Sequence, residues 1–283
     1  MLHVFLSPHI DDVVGSCGGT IARLVYERDE VLVVTCYTYA PNLNSISKKF
    51  HKFADYKIRK REDQIALNKL SADYKWLDIE ERAYREPILK KTNDVFKIDL
   101  SKGLKQFINI SYLHEKLDEI FEKNPKTMIY APLGVGNHFD HVEVFLASLI
   151  YMVDNALYDN FLFYLDMYGM ASTKIRNKHY LGEKIIPRGK KPEYSSFRAF
   201  MITNVINLQI SGNSIEQLLS SKYLDIEWEI VTSSIKGYEK LKISALESYE
   251  SQVEIFGKRT LTKLFRRLHK NWDSSEIFLK AKI

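Results

Sequence analysis

Short apolar runs alternate with longer segments of helical periodicity over roughly the first half of the chain. Four runs of strand length are rich in β-branched or aromatic residues, and they lie at Leu2–Leu6, Glu30–Thr35, Tyr74–Leu77 and Thr127–Ala131. Four segments repeat apolar residues at helical spacing, and they lie at Asp12–Glu27, 50–71, Leu113–Phe121 and 139–152. This alternation predicts an α/β fold with a Rossmann-like, mostly parallel sheet and helices on both faces.

The pattern is weaker after about residue 155. Phe161–Asp166 resembles one more strand, and 235–256 predicts a long amphipathic helix. Neither a linker nor an internal repeat interrupts the chain. We therefore expect a single domain over 1–283, in which 1–155 forms the core and 156–283 adds a substrate-shaping region and C-terminal helices.

Composition and charge narrow the classes of protein. The 283 residues are 45% hydrophobic, which is enough for a sizeable core, and the net charge is +5. The basic residues gather near 48–61 and 258–267; solvated helix faces are the favoured interpretation, and attraction to an anionic substrate or a membrane surface is the alternative. No nucleic-acid motif occurs, no apolar run approaches about 20 residues, and two cysteines give no disulfide framework. These features predict a cytoplasmic protein without a transmembrane segment or a nucleic-acid partner.

Two polar clusters follow predicted strands, and both combine histidine with aspartate. The first is "SPHIDD" after the first strand, and the second is "GNHFDH" after the fourth. Because ligands bind beyond the carboxyl ends of parallel strands, we expect the two clusters to form one site there. Taken singly, each has an ordinary interpretation, such as Asp11–Asp12 as a helix cap. The candidate side chains are His9, Asp11, Asp12, His138, Asp140 and His141.

Two imidazoles and one carboxylate from these clusters predict a metal site. His9, Asp12 and His141 form a three-ligand set that leaves a position open for water, as catalytic zinc sites do. A dication would compensate the paired aspartates and lower the pKa of bound water to about 7. Asp11, which is left over, can then take a proton from that water.

The remaining members of the second cluster, His138 and Asp140, suggest a group that stabilises charge on the substrate. His138 lies three residues before His141, so it can reach the same pocket and donate to a developing oxyanion. Asp140 could fix the tautomer of His138 and keep it cationic. Gly18 and Gly19 are expected to let the first helix pack closely against the sheet.

Both clusters resemble the motifs of one family. "SPHIDD" followed by "CGG" resembles the "HPDD…GG" signature of the PIG-L/LmbE-like zinc-dependent N-acetylglucosaminyl deacetylases, and "GNHFDHVEV" resembles that family's second motif. The resemblance covers about residues 1–150, with Ile10 where the signature has proline. It implies zinc binding by His9, Asp12 and His141, with Asp11 as general base, His138 as the electrophilic or acid group and Asp140 as its modulator.

The resemblance also suggests substrate-binding residues. Arg59, in "IRKREDQIALNKL", aligns with an arginine that contacts substrate in the family, and Arg85, in "AYR", belongs to a segment like that of one bacterial subgroup. The alternative for each is a solvated surface arginine. Gly136 and Asn137 occupy the places just before the second motif where the family often carries a substrate-side tyrosine, and Asn137 completes the predicted set.

The implied activity is hydrolysis of an N-acetyl group on an N-acetylglucosamine-type sugar in a small glycoconjugate. Zn²⁺ is the expected cofactor, with Fe²⁺ as the alternative ion. Two other functions fit parts of the pattern. A non-haem Fe(II) oxygenase also uses two histidines and a carboxylate, and a sugar-conjugate binding protein could retain the metal site without catalysis.

Overall fold

In the part of the chain that the structure describes, seven strands form one sheet with the order β3-β2-β1-β4-β5-β7-β6. The structure is a computed structural model that describes residues 1–41, 51–87, 89, 92–166, 179, 181 and 215–282. The strands are β1 (Leu2–Ser7), β2 (Glu30–Tyr39), β3 (Asp73–Glu80), β4 (Met128–Pro132), β5 (Phe161–Tyr164), β6 (Glu227–Ser234) and β7 (Ser275–Lys282).

Strands β1 to β5 pair in parallel, whereas β7 runs antiparallel to both β5 and β6. The predicted mostly parallel α/β sheet is therefore confirmed. Strands β6 and β7 were not predicted, and with β5 they extend the sheet into the chain beyond residue 155. Much of the predicted substrate-shaping region lies outside the described residues.

Helices cover the sheet. They are α1 (Asp12–Tyr26), α2 (His51–Ala54), α3 (Tyr56–Leu70), α4 (Ile110–Lys123), α5 (Phe139–Asp154), α6 (Ser221–Leu224), α7 (Glu239–Leu246), α8 (Glu250–Phe256) and α9 (Lys258–Asn271). Nearly all of α1 and α5 is buried, so these two helices are the central supports of the sheet. Among the helices of the described residues, none has the length and apolar character needed to cross a membrane.

Two predicted helices are interrupted. The helix predicted over 50–71 divides at Asp55, whose carboxylate accepts hydrogen bonds from the first-turn N–H groups of α3 and caps it. The helix predicted over 235–256 is wrong, because α7 and α8 are separate. Tyr249, at the break, donates its hydroxyl to Asp63 on α3, and the N–H of Ser251 donates to Glu62. These hydrogen bonds to α3 hold the chain in place where the predicted helix is interrupted.

A buried ion pair fastens α1 to the C-terminal part of the chain. The Glu276 carboxylate on β7 accepts hydrogen bonds from the N–H groups of Gly19 and Thr20, and it lies 2.7 Å from Lys242 Nζ on α7. A Cβ on Gly19 would lie 2.6 Å from Ile235. The close contact that the glycines permit is therefore with the segment after β6 and with α7, and not with the sheet face as expected.

We predict that Glu276→Gln lowers the free energy of unfolding by about 3–5 kcal/mol, because it leaves the Lys242 ammonium buried and unpaired. Urea unfolding measures the loss. Asp159→Asn is the matched control, since it removes the carboxylate from the Asp159–Lys280 pair, where Asp159 is 83% exposed, and should cost under about 1 kcal/mol. Equal effects of the two changes would contradict a special role for the buried pair.

Candidate active site

The two polar clusters meet at one edge of the sheet. Strands β1 and β4 are parallel neighbours, so the loops that follow them emerge side by side and lead into the N-termini of α1 and α5. Asp11 and Asn137 both adopt left-handed backbone conformations, with φ of 94° and 57°. These turns reverse the chain just before each helix and bring the side chains of both loops together.

The three predicted ligands converge on one point. His9 Nδ1, Asp12 Oδ2 and His141 Nε2 are separated by 3.2 Å, 3.2 Å and 3.0 Å, and all three residues are buried. A tetrahedral zinc ion with bonds of about 2.0–2.1 Å needs ligand atoms about 3.3 Å apart. His138 also offers a donor atom within 4.8 Å of donor atoms of His9 and His141. The assignment of Asp12 as the third ligand stays a prediction.

Asp166 holds His141 in place. His141 Nδ1 lies 2.6 Å from Asp166 Oδ1, and the other Asp166 oxygen accepts the N–H of Val135. Burial alone would lower the pKa of His141, but the carboxylates of Asp12 and Asp166 outweigh it and raise the pKa to about 9. No role for Asp166 was predicted. Its position directly after an apolar run was the available signal, because that run is β5, which ends at the same sheet edge.

Asp140 holds the other histidine. Asp140 Oδ2 lies 3.0 Å from His9 Nε2 and accepts the N–H of Arg82. His138 Nδ1 is farther away, at 4.0 Å. Asp140 therefore contacts and orients His9, and not His138 as expected. Burial would lower the pKa of His9, but Glu81, Asp12 and Asp140 hold it well above its usual value.

His138 is neutral in this environment. Its ring meets His9 and Phe96 edge-on, at centroid distances of 4.7 Å and 5.5 Å. Its Nδ1 is buried, and among the described residues none is a hydrogen-bond partner of this atom. Burial, followed by the nearby His9, lowers the pKa of His138 to about 3. The expectation that Asp140 keeps His138 cationic is therefore wrong, because one carboxylate at 4.0 Å does not offset these two effects.

Asp11 is separated from Asp12 by its backbone conformation. Its side chain makes no capping bond to α1, contrary to the ordinary interpretation of an Asp-Asp pair. Asp12 Oδ2 accepts the N–H of His9, whereas Asp11 Oδ1 lies 3.9 Å from Arg59 Nη2. Burial, and then the Asp12 charge, raise the pKa of Asp11 well above its usual value, against a lowering by Arg59. Asp11 is thus a carboxylate with a raised proton affinity beside the ligands.

Arg59 is part of the interior and not a solvated surface arginine. It is 5% exposed. Its Nη2 donates to the carbonyl of Ile10, and its Nη1 donates to the hydroxyl of Tyr56 and lies 3.5 Å from Glu81. The guanidinium therefore braces the loop that carries His9 and Asp11.

Arg85 and Asn137 lie near the second loop. Arg85 lines a cavity of about 350 Å³ together with Phe139, which follows His138 in the chain. The Arg85 guanidinium lies 5.6 Å from the Phe139 ring and 3.8 Å from Glu143. Asn137 is buried and donates its backbone N–H to Gly134. Arg85 therefore has access to a space beside the site, whereas Asn137 shapes the turn.

Slightly more than half of the chain matches a known protein family. The model of the PIG-L family, described as GlcNAc-PI de-N-acetylase, matches residues 4–151. The chain belongs to this family. The matched region contains both polar clusters and Arg59. A comparison with curated proteins gives no match.

Solved structures of deacetylases share the fold. A deacetylase of teicoplanin biosynthesis is 16% identical, with a TM-score of 0.66 over 100% of this chain and 98% of that one. A zinc-inhibited form of teicoplanin deacetylase is 18% identical, with a TM-score of 0.64 over the same shares. The pseudoaglycone deacetylase Dbv21 is 15% identical, with a TM-score of 0.63 over 99% of this chain and 96% of that one. The likeness extends over the length of the chain, beyond the family match.

We predict that Asp166→Asn weakens zinc binding about 10–100-fold, because the uncharged amide orients and polarises His141 less well. Competition with a chromophoric chelator measures the affinity. Asp154→Asn is the control, since it removes a partly exposed carboxylate at the far end of α5. Unchanged affinity in the Asp166 variant would show that His141 needs no such support.

Proposed function

We propose that this protein removes the N-acetyl group from an N-acetylglucosamine-type sugar in a small glycoconjugate, releasing acetate and the free amine. The observation that carries the proposal is the convergence of His9, Asp12 and His141 beside a non-ligating Asp11. The PIG-L match over residues 4–151 supports it. A neighbour in fold is a deacetylase in complex with teicoplanin, which is consistent with a conjugate larger than a free sugar.

His9, Asp12 and His141 would hold the metal ion. Their nitrogen and oxygen donors, 3.0–3.2 Å apart, suit zinc, and Fe(II) is the alternative because it also takes two histidines and a carboxylate. Bound there, the ion would lower the pKa of a water molecule to about 7 and polarise the acetyl carbonyl. The polar contacts of Asp140 and Asp166 would keep both imidazoles in their ligating orientations.

Asp11 would act as the general base. It lies next to the ligands in sequence but makes no capping bond, and burial raises its pKa toward the range in which a carboxylate accepts protons efficiently. Arg59, 3.9 Å away, would hold its orientation. After taking a proton from the attacking water, Asp11 would return it to the amine nitrogen as the C–N bond breaks.

His138 would stabilise the developing negative charge on the acetyl oxygen. Because its pKa is lowered to about 3, it stays neutral and carries one N–H donor. A neutral donor serves this purpose when it is fixed and shielded from water, and His138 is packed between His9 and Phe96. The space lined by Arg85 and Phe139 would receive the conjugate.

The two alternative functions explain fewer of these residues. An Fe(II) oxygenase would use the three ligands but leaves Asp11 and His138 without a role. A non-catalytic binding protein gives no reason for a buried carboxylate with a raised pKa beside the ligands. Amide hydrolysis uses both.

A direct assay tests the proposal. Purified protein with zinc would be mixed with N-acetylglucosaminides linked to nucleotides, lipids or thiols, and free amine and acetate would be measured together. We expect equal amounts of both products from at least one class. Conjugate binding without acetate release would instead indicate a binding protein, and oxygen uptake would indicate an oxygenase.

We predict that Asp11→Asn lowers kcat about 10²–10⁴-fold, because the amide cannot accept the proton, while zinc affinity stays within a few fold. Steady-state kinetics and the chelator assay measure the two quantities. Asp29→Asn, which removes a carboxylate next to the N-terminal amine instead, should change neither. Full turnover by the Asp11 variant would contradict the assignment of the base.

A further inference from the structure

The basic residues near 258–267 form part of a straight row on α9. Four exposed cations of this helix follow one another at intervals of four, three and four residues, and they are Arg259, Lys263, Arg266 and Lys270. Residues at this spacing lie on one face of a helix. At a rise of about 1.5 Å per residue, the row is about 16 Å long. We call these four residues the basic row.

The opposite face of α9 fixes the basic row to the fold. Four apolar side chains of this face are buried, and they are Leu261, Leu264, Phe265 and Leu268. The helix contacts α7 and α8, and the Phe265 ring lies 5.1 Å from Nζ of Lys242, the buried partner of Glu276. The helix would lose this packing if it left the protein. A partner therefore meets the row as a rigid line of charge.

The described acidic side chains around α9 do not neutralise the basic row. None of its four residues forms an ion pair with another residue that the structure describes. Nearby acids have other partners, since Glu247 accepts a hydrogen bond from Thr262 and Asp273 lies 3.4 Å from Lys236. The row therefore presents four uncompensated positive charges, which attract an anionic surface over about 8 Å at physiological ionic strength.

Helix α3, which contacts α7 as α9 does, exposes two isoleucines. Ile58 and Ile65 are each 45% exposed, and Arg61 is exposed between them on the same helix face. Both isoleucines line a groove of about 540 Å³ together with Glu247. Because Glu247 accepts the hydrogen bond from Thr262 on α9, the groove joins the isoleucines to the helix that carries the basic row.

We propose that the basic row, together with Ile58 and Ile65, docks the protein on a lipid bilayer with anionic headgroups. Such headgroups compensate the row, and each cation near the surface strengthens binding about fivefold. Exposed isoleucines are stabilised at the apolar boundary of a bilayer, whereas the phosphates of a nucleic acid offer them no apolar contact. Among the described side chains of α9, no exposed one is aromatic, so none can stack on a base. This surface favours the membrane interpretation of the basic residues over solvated helix faces.

Cosedimentation of the full-length protein with vesicles tests the docking without substrate. Vesicles of phosphatidylcholine alone are compared with vesicles of an equimolar mixture of phosphatidylcholine and phosphatidylglycerol. We expect binding to the anionic vesicles to be at least about tenfold tighter. Added salt should weaken it, because the cations are exposed to solvent. Equal binding to both kinds of vesicle would overturn the proposal.

A double variant tests the basic row. Lys263→Gln with Arg266→Gln should weaken binding to the anionic vesicles about 25-fold, because it removes two cations. The control is Lys123→Gln with Lys126→Gln, which causes the same fall in net charge at the end of α4, a helix that contacts α5. This control should change the affinity by less than about twofold. Equal effects of the two variants would contradict docking through α9.

The isoleucines distinguish a bilayer from other anions. Ile58→Ser with Ile65→Ser should weaken binding to the anionic vesicles about tenfold through lost apolar contact, with an unchanged salt dependence. Unchanged affinity in this variant would contradict the proposal. So would tighter binding of the wild-type protein to a DNA duplex or a single-stranded RNA than to the anionic vesicles at the same salt concentration, which would assign the row to a nucleic acid.

The substituted side chains are exposed, so the variants should fold. An unchanged thermal unfolding midpoint checks this, and if a variant unfolds, the comparison of the two vesicles with the wild-type protein decides by itself. The docking is independent of the proposed reaction. Vesicle binding without acetate release would contradict only the proposed function, and acetate release without vesicle binding would contradict only the docking.

Discussion

The burial of two adjacent carboxylates is the constraint on which the rest of the site depends. Asp11 and Asp12 cannot both be charged in the interior unless each has its own compensation. The left-handed backbone of Asp11, with φ of 94°, turns the two side chains toward different partners. Asp12 meets His9 and His141, and Asp11 lies near Arg59. This separation is what the proposed roles require, with Asp12 as a metal ligand and Asp11 as the group that accepts a proton.

The strand edge fixes the rest of the geometry. His9 and His141 follow parallel neighbours β1 and β4, and each imidazole has a carboxylate on its far nitrogen: Asp140 for His9 and Asp166 for His141. Asp166 comes from the loop after β5, the next strand in the sheet. The ends of three neighbouring strands thus hold the predicted donor atoms, so the register of the sheet contributes to the spacing of these atoms.

How much of this could be predicted from the sequence depends on the range of the interactions. The parallel strands and the clustering of His9 with His141 followed from local periodicity and from the rule that strand ends meet at one edge. The contact of Asp166 with His141 and that of Asp140 with His9 could not be predicted in this way, because they depend on side-chain rotamers and on the conformations of the loops. The break near Tyr249 in the helix predicted over 235–256 could not be predicted for a similar reason. It involves a hydrogen bond to Asp63, which is far away in sequence.

The family match ends at residue 151, but residues later in the chain also hold the helices of the site in place. Tyr249 and Ser251 hold α3 through Asp63 and Glu62, and α3 carries the Arg59 that braces the first loop. Glu276 holds α1, whose first residue is Asp12. Because a small shift of a predicted ligand changes the donor spacing, these distant hydrogen bonds contribute to the geometry that the proposed function requires. Divergence of the later chain is therefore compatible with the same chemistry only where equivalent anchors for α1 and α3 are kept.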